Sequence, residues 1–519
     1  MRKKDKTLIA KLKEEHDKKT QDKFRSLKKK NPAEFWKLLK QGEHKDNTDV
    51  KVSIESFNDF FETLNKKCDC NESQDQFEKV EYQQQNNEIN IPFVDDEIKN
   101  QIKKLKNNKS SGNDSILNEF IKHSNNQMIY LITKMFNVIL DSGHVPYDWT
   151  IGVLCPIYKK KGSTHDPDNY RPITLLSCLG KLFTAVLNER LTQYVDAYKL
   201  MEEEQAGFRK NYSTLDHTFV LYSLINIYLS EKKRIYSAFV DYKKAFDSVD
   251  RNLLWYKMLR YNINGKILAL VQDMYKNAKS YVRSNAERSD LFECNVGVRQ
   301  GDNLSPLLFA MFINDFELTL RENCKGVNLL PCNIDKKVRD EGVNVCLKLF
   351  TLLYADDTVI FAESENDLQI ALNNVNKYCK KWSLKVNINK TKVVIFSRGK
   401  IRKLPVFRFG NDILEIVDDY VYLGTTFNYN HHFKKAQNKQ IIQARKAMFS
   451  LRPRSKSLNL PIDIELDLFE KLVNPILLYG SEDWGCEENL KEIEHFQISF
   501  YKQLLKINKR SANCMAFGE

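Results

Sequence analysis

Apolar residues recur at three- and four-residue spacing over Asp95–Leu105, Met128–Leu140 and Leu368–Trp382, which predicts helices with one buried face at each. Between about Ile235 and Phe427 the texture changes. Short β-branched and aromatic runs, YSAFVDY, KLFTLLYADDTVIFA and KVVIFS, alternate there with helical stretches. That alternation predicts an α+β core built on an antiparallel sheet. From about Ile91 to Ser230 helical patterns dominate, so a mainly helical lobe is expected before the sheet. Upstream, Leu8, Leu12, Phe24, Leu27, Phe35, Trp36 and Leu39 stand in a background of Lys, Arg and Glu, the pattern of amphipathic helices with a basic face. Asp69–Asn90, with Gln83, Gln84 and Gln85, is almost free of aliphatic residues and reads as a polar connector ending near Ile91.

The length of 519 residues suggests about three domains or one multi-lobed enzyme. With 42% hydrophobic and 11% aromatic residues the chain can bury a core. Lys and Arg total 81 against 68 Asp and Glu, and the resulting +13 favours polyanionic partners. No apolar run reaches the roughly 18 residues a membrane span needs, and the Lys-rich N-terminus has no secretory core. The expectation is an intracellular protein of nucleus or cytoplasm, in a ribonucleoprotein, with no membrane partner. The 11 cysteines form no zinc pattern, and Cys68 with Cys70 reads as part of a solvated loop. One charge feature is sharper. Tyr420–Pro461 contains no acidic residue but holds Lys434, Lys435, Lys439, Arg445, Lys446, Arg452, Arg454 and Lys456, a helical face suited to phosphates.

The residues richest in chemistry are Asp356 and Asp357, which interrupt an apolar strand pattern in LLYADDTVIFA. Two strands joined by a tight turn would hold both carboxylates at its tip. Two uncompensated charges between buried strands are costly unless a cation neutralises them, and a hard divalent ion prefers carboxylate oxygens. A third acid, Asp241, ends the apolar run Ser237–Val240 in AFVDYKKAFDSVD. Asp247 and Asp250 stand close enough to take the same role, and any of the three also suits a cap or turn.

Asp241 at a strand end, GVRQGDNLSP and YADD, in this order, resemble the palm of a reverse transcriptase. The resemblance covers about residues 91 to 505 and is greatest to the polymerases of non-long-terminal-repeat, LINE-type retrotransposons of the Jockey and RTE kind. Asn107–Asp114, Trp149 and PIYKKKGSTHDPDNYRPITLLSCLGKLF are similar to the family's extension and first fingers motifs. QAGFRKNYSTLDH resembles the second fingers motif, and LKVNINKTKVVIFS, VYLGTTF and NPILLYGSEDW resemble later palm, primer-grip and thumb segments. Telomerase and group II intron maturases share the palm, but NYRPITLL and LLYGSEDW favour the retrotransposon kind.

This resemblance implies a right-hand polymerase: a basic helical extension and linker over 1–90, fingers and palm over 91–427 with a core at about 140–428, and a helical thumb with a truncated C-terminal segment over 428–519. It implies an RNA-directed DNA polymerase extending a DNA primer 3′-hydroxyl on an RNA template with deoxynucleoside triphosphates. Asp241 and Asp356, supported by Asp357, would hold two Mg²⁺ ions, with Mn²⁺ as a substitute. Lys390, or its near neighbour Lys392, matches a proton donor to pyrophosphate. Arg209 matches a triphosphate contact, and Arg171 in NYRP a nucleic-acid contact. Phe246 matches the bulky gate against a 2′-hydroxyl, and Gln300 and Gly301 line the nascent base pair. Tyr422, Leu423 and Gly424 match the primer grip, after which Lys434, Lys435, Arg445, Lys446, Arg452 and Arg454 would track duplex phosphates.

Complete elements of this kind usually carry an endonuclease, which residues 1–90 are too short and too Lys-rich to supply, so that partner would be encoded elsewhere or missing. Nothing resembling a ribonuclease H domain or a CCHC knuckle follows Trp484, and the ending Cys514–Glu519 reads as abrupt. The competing reading is a catalytically silent or domesticated nucleic-acid-binding relic. It would have been favoured by loss of Asp241, Asp356 or Asp357, and all three are present.

Overall fold

A computed structural model of the chain describes residues 2–40, 50–66, 85–285, 287–328, 348–485, 490–508 and 510–516. Cys68, Cys70 and most of the expected polar connector lie outside these residues. The chain divides into two compact units, 49–217 with 227–417, and 1–48 with 218–226 and 418–519. Among the described residues no helix is long and apolar enough to cross a membrane.

The larger unit is organised by a six-stranded sheet whose order is Phe407–Phe409, Asp412–Ile416, Lys392–Phe396, Ile235–Val240, Asp357–Ala362 and Thr351–Tyr354. All six residues of Ile235–Val240 are buried. A strand covered on both faces reads as a continuous apolar run, which is why YSAFV lacks polar alternation. Antiparallel neighbours flank it, Asp357–Ala362 on one side and Lys392–Phe396 on the other. Helix Glu365–Lys381 starts at Ser364, whose hydroxyl accepts from the Asp367 N–H, and buries Leu368, Ala371, Leu372, Val375 and Tyr378 along one face. Those residues join Ala238, Val240 and Ile360 in the main core.

The lobe expected to be helical also holds strands Ile151–Tyr158 and Tyr170–Leu175, which pair with each other and, through the first, with Lys279–Ser284. The first strand's second partner lies far along the chain, and each strand contains a proline, Pro156 and Pro172, which weakens the local strand signal. Helix Ile54–Asn65 places Phe57 and Phe61 against Leu154, Tyr170, Val282 and Phe292 of this second sheet. Residues 50–66 therefore belong with the larger unit and not with the basic helices before them.

In the smaller unit, helices Arg2–Lys30 and Pro32–Lys40 share a core with the C-terminal part of the chain: Phe24, Phe35 and Leu39 pack with Leu451, Leu460, Ile464 and Leu468. Arg25 pairs with Asp463 and Lys28 with Asp467, each at 2.9 Å. The expected 1–90 extension is thus divided between two cores. Hairpin Asp419–Tyr422 with Thr425–Asn428 forms its own two-stranded sheet, so this unit starts at Asp418, ahead of the boundary expected near 428.

Candidate active site

In the hairpin of the larger unit Tyr354 pairs with Asp357, which leaves Ala355 and Asp356 as a two-residue loop. Ala355 has φ +60°, a left-handed conformation that tight hairpin loops require and that costs a residue with a Cβ roughly 1–2 kcal/mol. On the neighbouring strand Val240 pairs with Thr358. The next residue of each strand, Asp241 and Asp357, therefore emerges at the same end of the sheet. Three hydrogen bonds pin that end: the Asp241 N–H donates to the Thr391 side-chain Oγ1 (3.2 Å), and the Asn387 and Lys243 N–H groups donate to the carbonyls of Asp241 and Lys385 (each 2.7 Å). The same turn brings the Lys390 ammonium to 3.5 Å from Asp241 Oδ2. Lys392, the sequence's alternative, instead lies 2.5 Å from Glu415.

Loss of water, followed by the charges of Asp356 and Asp241, pushes the Asp357 carboxyl up to about 6. Asp356 is also raised, by partial loss of water first and then by Asp241, with its own main-chain N–H, Lys390 and Arg171 opposing. Both Asp356 and Asp357 remain exposed to solvent at the loop. Asp241 Oδ2 is buried and accepts no hydrogen bond. Three mutually repelling carboxylates, one with a buried oxygen that accepts no hydrogen bond and faces the Lys390 ammonium 3.5 Å away, suit a divalent cation. They do not form a closed cage. Among the described residues, the acids whose oxygens all lie within 4.8 Å of one another are Glu202, Glu204 and Glu317, which Arg321 already bridges at 4.0, 3.7 and 2.9 Å. A looser set such as Asp241, Asp356 and Asp357 fits ions that share their coordination with substrate phosphates.

Cations gather around these acids. Burial lowers the Lys159 ammonium, and so do the charges of Lys244, Lys390 and Arg171, against which Asp168 acts. Arg171 and Lys390 also act on Asp356. Lys159 and Lys244 themselves converge on Asp168: the Lys159 ammonium donates to its carbonyl at 2.5 Å and the Lys244 ammonium lies 3.3 Å from its carboxylate. Arg209 is placed differently. Its guanidinium donates to the carbonyls of Glu202 (2.9 Å) and Gln205 (3.3 Å) and stacks on Tyr212 at 4.3 Å, so it ties its own loop together. Phe246 is half-buried, stacked on Phe309 at 4.6 Å with Phe208 edge-on at 5.8 Å. Gly301 has φ +99°, and a Cβ there would meet the Thr174 carbonyl at 2.7 Å. Gln300 lines a cavity of about 60 Å³ with Asp247, Arg251 and Pro172. Of the two alternatives to Asp241, Asp250 caps helix Arg251–Arg260, and Asp247, raised to about 6 by burial, faces that cavity.

In the smaller unit Tyr422 pairs with Thr425, so Leu423 and Gly424 form a second two-residue loop, with φ of +45° and +92°. Helix Lys434–Ser457 buries Ala436, Gln440, Ile441, Ala444, Met448 and Leu451, leaving Lys434, Lys435, Arg445 and Lys446 exposed and Arg452 and Arg454 half-exposed. Lys435 lies 2.5 Å from Asp419, just outside the acid-free stretch.

Several known proteins are similar to this chain. The chain is similar to the RNA-directed DNA polymerase from mobile element jockey of Drosophila melanogaster, 25% identical over 79% of this chain and 43% of that protein. It is also similar to the probable RNA-directed DNA polymerase from transposon BS of the same fly, 26% identical over 78% and 44%. It therefore spans less than half the length of these relatives. Telomerase from Candida tropicalis in complex with a fragment of telomeric RNA is a remote structural likeness, TM-score 0.38 at 12% identity over 73% of this chain and 62% of that one. Residues 158–427 match the family described as reverse transcriptase (RNA-dependent DNA polymerase), and they contain Asp241, Gln300, Asp356, Asp357 and Lys390. With half the chain inside that match, and relatives drawn from mobile elements, the protein belongs to the reverse transcriptase family, of the LINE-type, non-long-terminal-repeat kind.

Proposed function

We propose that this chain is an RNA-directed DNA polymerase that extends a DNA primer on an RNA template by nucleotidyl transfer supported by two Mg²⁺ ions. The observation that carries this reading is the meeting of Asp241, Asp356 and Asp357 at one sheet end, with mutual repulsion among the three acids. Bound there, the ions would lower the pKa of the primer hydroxyl and offset charge on the leaving pyrophosphate. The residues do the rest. Asp241 and Asp356 hold the reacting groups in register, and Arg171 and Lys390, the cations that act on Asp356, neutralise triphosphate oxygens beside them. Lys390, whose ammonium lies 3.5 Å from Asp241, is the proton donor to the departing pyrophosphate in this reading. The Phe246 ring, braced by Phe309, bars a 2′-hydroxyl, and Gln300 beside Gly301 contacts the nascent pair. Tyr422–Gly424 hold the primer end and helix Lys434–Ser457 the backbone of the duplex.

Primer extension on an RNA template with Mg²⁺ tests the reading. Asp356→Ala should lower the rate by a factor on the order of 10³ or more, since each 1.36 kcal/mol of lost transition-state stabilisation is about tenfold. Near-normal extension by that variant, or none by the unaltered chain, would leave a nucleic-acid-binding relic. Replacing Lys434, Arg445 and Lys446 by Gln should reduce the magnitude of the log-affinity against log-salt slope by roughly one for each phosphate deprived of its cation. An unchanged slope would make that helix an ordinary solvated face.

A further inference from the structure

A buried glutamine and a glycine press on the turn that carries Asp356. Gln205 is 0% exposed. Its Oε1 accepts hydrogen bonds from the main-chain N–H of Gly207 (3.1 Å) and of Ala355 (3.3 Å). Both donors fix the amide's orientation, because the flipped form would set an NH₂ group against two N–H groups. On either side the main chains are stitched together: the Ala206 N–H donates to Leu353 O (3.0 Å) and the Leu353 N–H to Glu204 O (2.9 Å). Residues 204–207 thus lie as a short parallel rung beside strand Thr351–Tyr354.

Gly207 closes the contact. A Cβ on it would overlap the Ala355 nitrogen and stand 2.9 Å from both Ala355 Cα and the Tyr354 carbonyl carbon. Its own φ lies outside the left-handed region, so glycine is needed there for space and not for backbone freedom. Ala355 does occupy the left-handed region. A turn in that state relaxes unless its surroundings over-determine it.

We propose that Gln205 and Gly207 are positioning residues for Asp356: the glutamine oxygen holds the Ala355 N–H, the bare glycine face lets the turn seat against it, and together they fix where the next residue's carboxylate points. This rests on the reading of Asp356 as a metal-holding carboxylate. The two residues touch no substrate. Their effect passes through the Ala355 backbone.

The test uses the full chain and four variants: Gly207→Ala, Gln205→Leu, Gln205→Leu with Ala355→Gly, and Gly207→Ala with Ala355→Gly. Single-turnover extension is followed against Mg²⁺ concentration, and binding of Mn²⁺ alone is followed by electron paramagnetic resonance. Gly207→Ala and Gln205→Leu should each slow the chemical step by about 10- to 100-fold, the scale of a small misplacement. The Mg²⁺ concentration for half-maximal rate should rise, and Mn²⁺ binding should weaken in step. Adding Ala355→Gly should rescue most of the Gln205→Leu loss, since glycine adopts φ +60° without steric cost. It should not rescue Gly207→Ala, whose clash is with main-chain atoms.

Unchanged metal dependence and Mn²⁺ binding in folded Gly207→Ala and Gln205→Leu proteins would overturn the proposal and leave plain packing. If Gly207→Ala does not fold, the glutamine pair decides, and absence of rescue by Ala355→Gly overturns it. An active Asp356→Ala enzyme would instead remove the underlying reading, so the two failures are told apart.

Discussion

Each of the two units holds an antiparallel hairpin closed by a two-residue loop whose first residue is left-handed and is not glycine, yet the two loops are braced by opposite means. In the smaller unit the second loop position is Gly424, and the Leu423 carbonyl accepts a 2.7 Å hydrogen bond from the Tyr479 hydroxyl. Left-handed freedom is written into the turn, and one side chain caps it. In the larger unit neither Ala355 nor Asp356 is glycine. The glycine sits on the opposing segment, as Gly207, and the cap is the Gln205 amide. Moving the glycine off the loop frees both loop positions for side chains, one of which is the carboxylate the chemistry needs. A turn that supports backbone geometry can keep its own glycine; a turn that must present an acid bears the left-handed strain itself and is held in it by a neighbour that gives it room.

The largest effect is expected at the acids near each loop. Asp357 and Asp483 are both pushed up to about 6. Asp357 stays exposed at its loop and is raised by partial loss of water with the charges of Asp356 and Asp241, whereas Asp483 is raised by full burial. Asp483 is 0% exposed, four residues from Tyr479 and beside Thr218. Its folded-state value exceeds the ordinary 3.8, so the folded form binds the extra proton and gains stability as pH falls through about 6. Above that pH the buried charge is a burden. Asp483→Asn should stabilise the smaller unit at pH 8 by up to about 3 kcal/mol, because a folded-state value one pH unit above the ordinary one corresponds to about 1.36 kcal/mol, and the advantage should fade below about pH 6. Thermal unfolding at about pH 8 and about pH 5, on either side of that titration, checks this. A variant less stable at both would mean that Asp483 holds a partner it needs ionised.

A smaller effect is expected at the glycine itself. Gly424→Ala places a Cβ 2.8 Å from the Tyr479 ring at φ +92°, and such strain costs on the order of 1–3 kcal/mol. Calorimetry should show the loss in the unit that holds this hairpin, with the Mg²⁺ dependence of extension unaltered. A loss of metal dependence instead would erase the distinction between the two turns.

How legible these features were follows the same division. The Tyr-Ala-Asp-Asp hairpin could be read because two charges in an apolar run have few physical excuses, and the strand ending at Asp241 because six buried residues carry no polar alternation. Helix Glu365–Lys381 was legible from its period. What failed to show was long-range. Strands Ile151–Tyr158 and Lys279–Ser284 meet only through tertiary pairing. The docking of Phe24 and Phe35 with Leu451 and Leu468 has no local mark in a helix whose surface is Lys-rich. The choice between Lys390 and Lys392 was open in sequence because both follow the same short turn, and pairing with Glu415 turns one of them aside. Gln205 was invisible as a brace, since its partner lies 150 residues away.

The smallest effect is expected at the Tyr479 hydroxyl. Tyr479→Phe keeps the ring that packs on Gly424 and deletes only the donor to the Leu423 carbonyl. A neutral hydrogen bond contributes about 1 kcal/mol, and because Leu423 is only half-buried water can replace the donor, so the loss should fall at the low end of that range. With Gly424 still in place the turn keeps its conformation, and the primer concentration for half-maximal extension should rise slightly while the single-turnover rate holds. Gln205→Leu is its counterpart in the other hairpin and removes a comparable cap from a loop that has no glycine of its own. There the same chemical deletion should appear in the rate and the Mg²⁺ dependence. If Tyr479→Phe and Gln205→Leu gave the same profile, loop glycine would not decide how much a turn leans on its brace, and the contrast between the hairpins would be one of position alone.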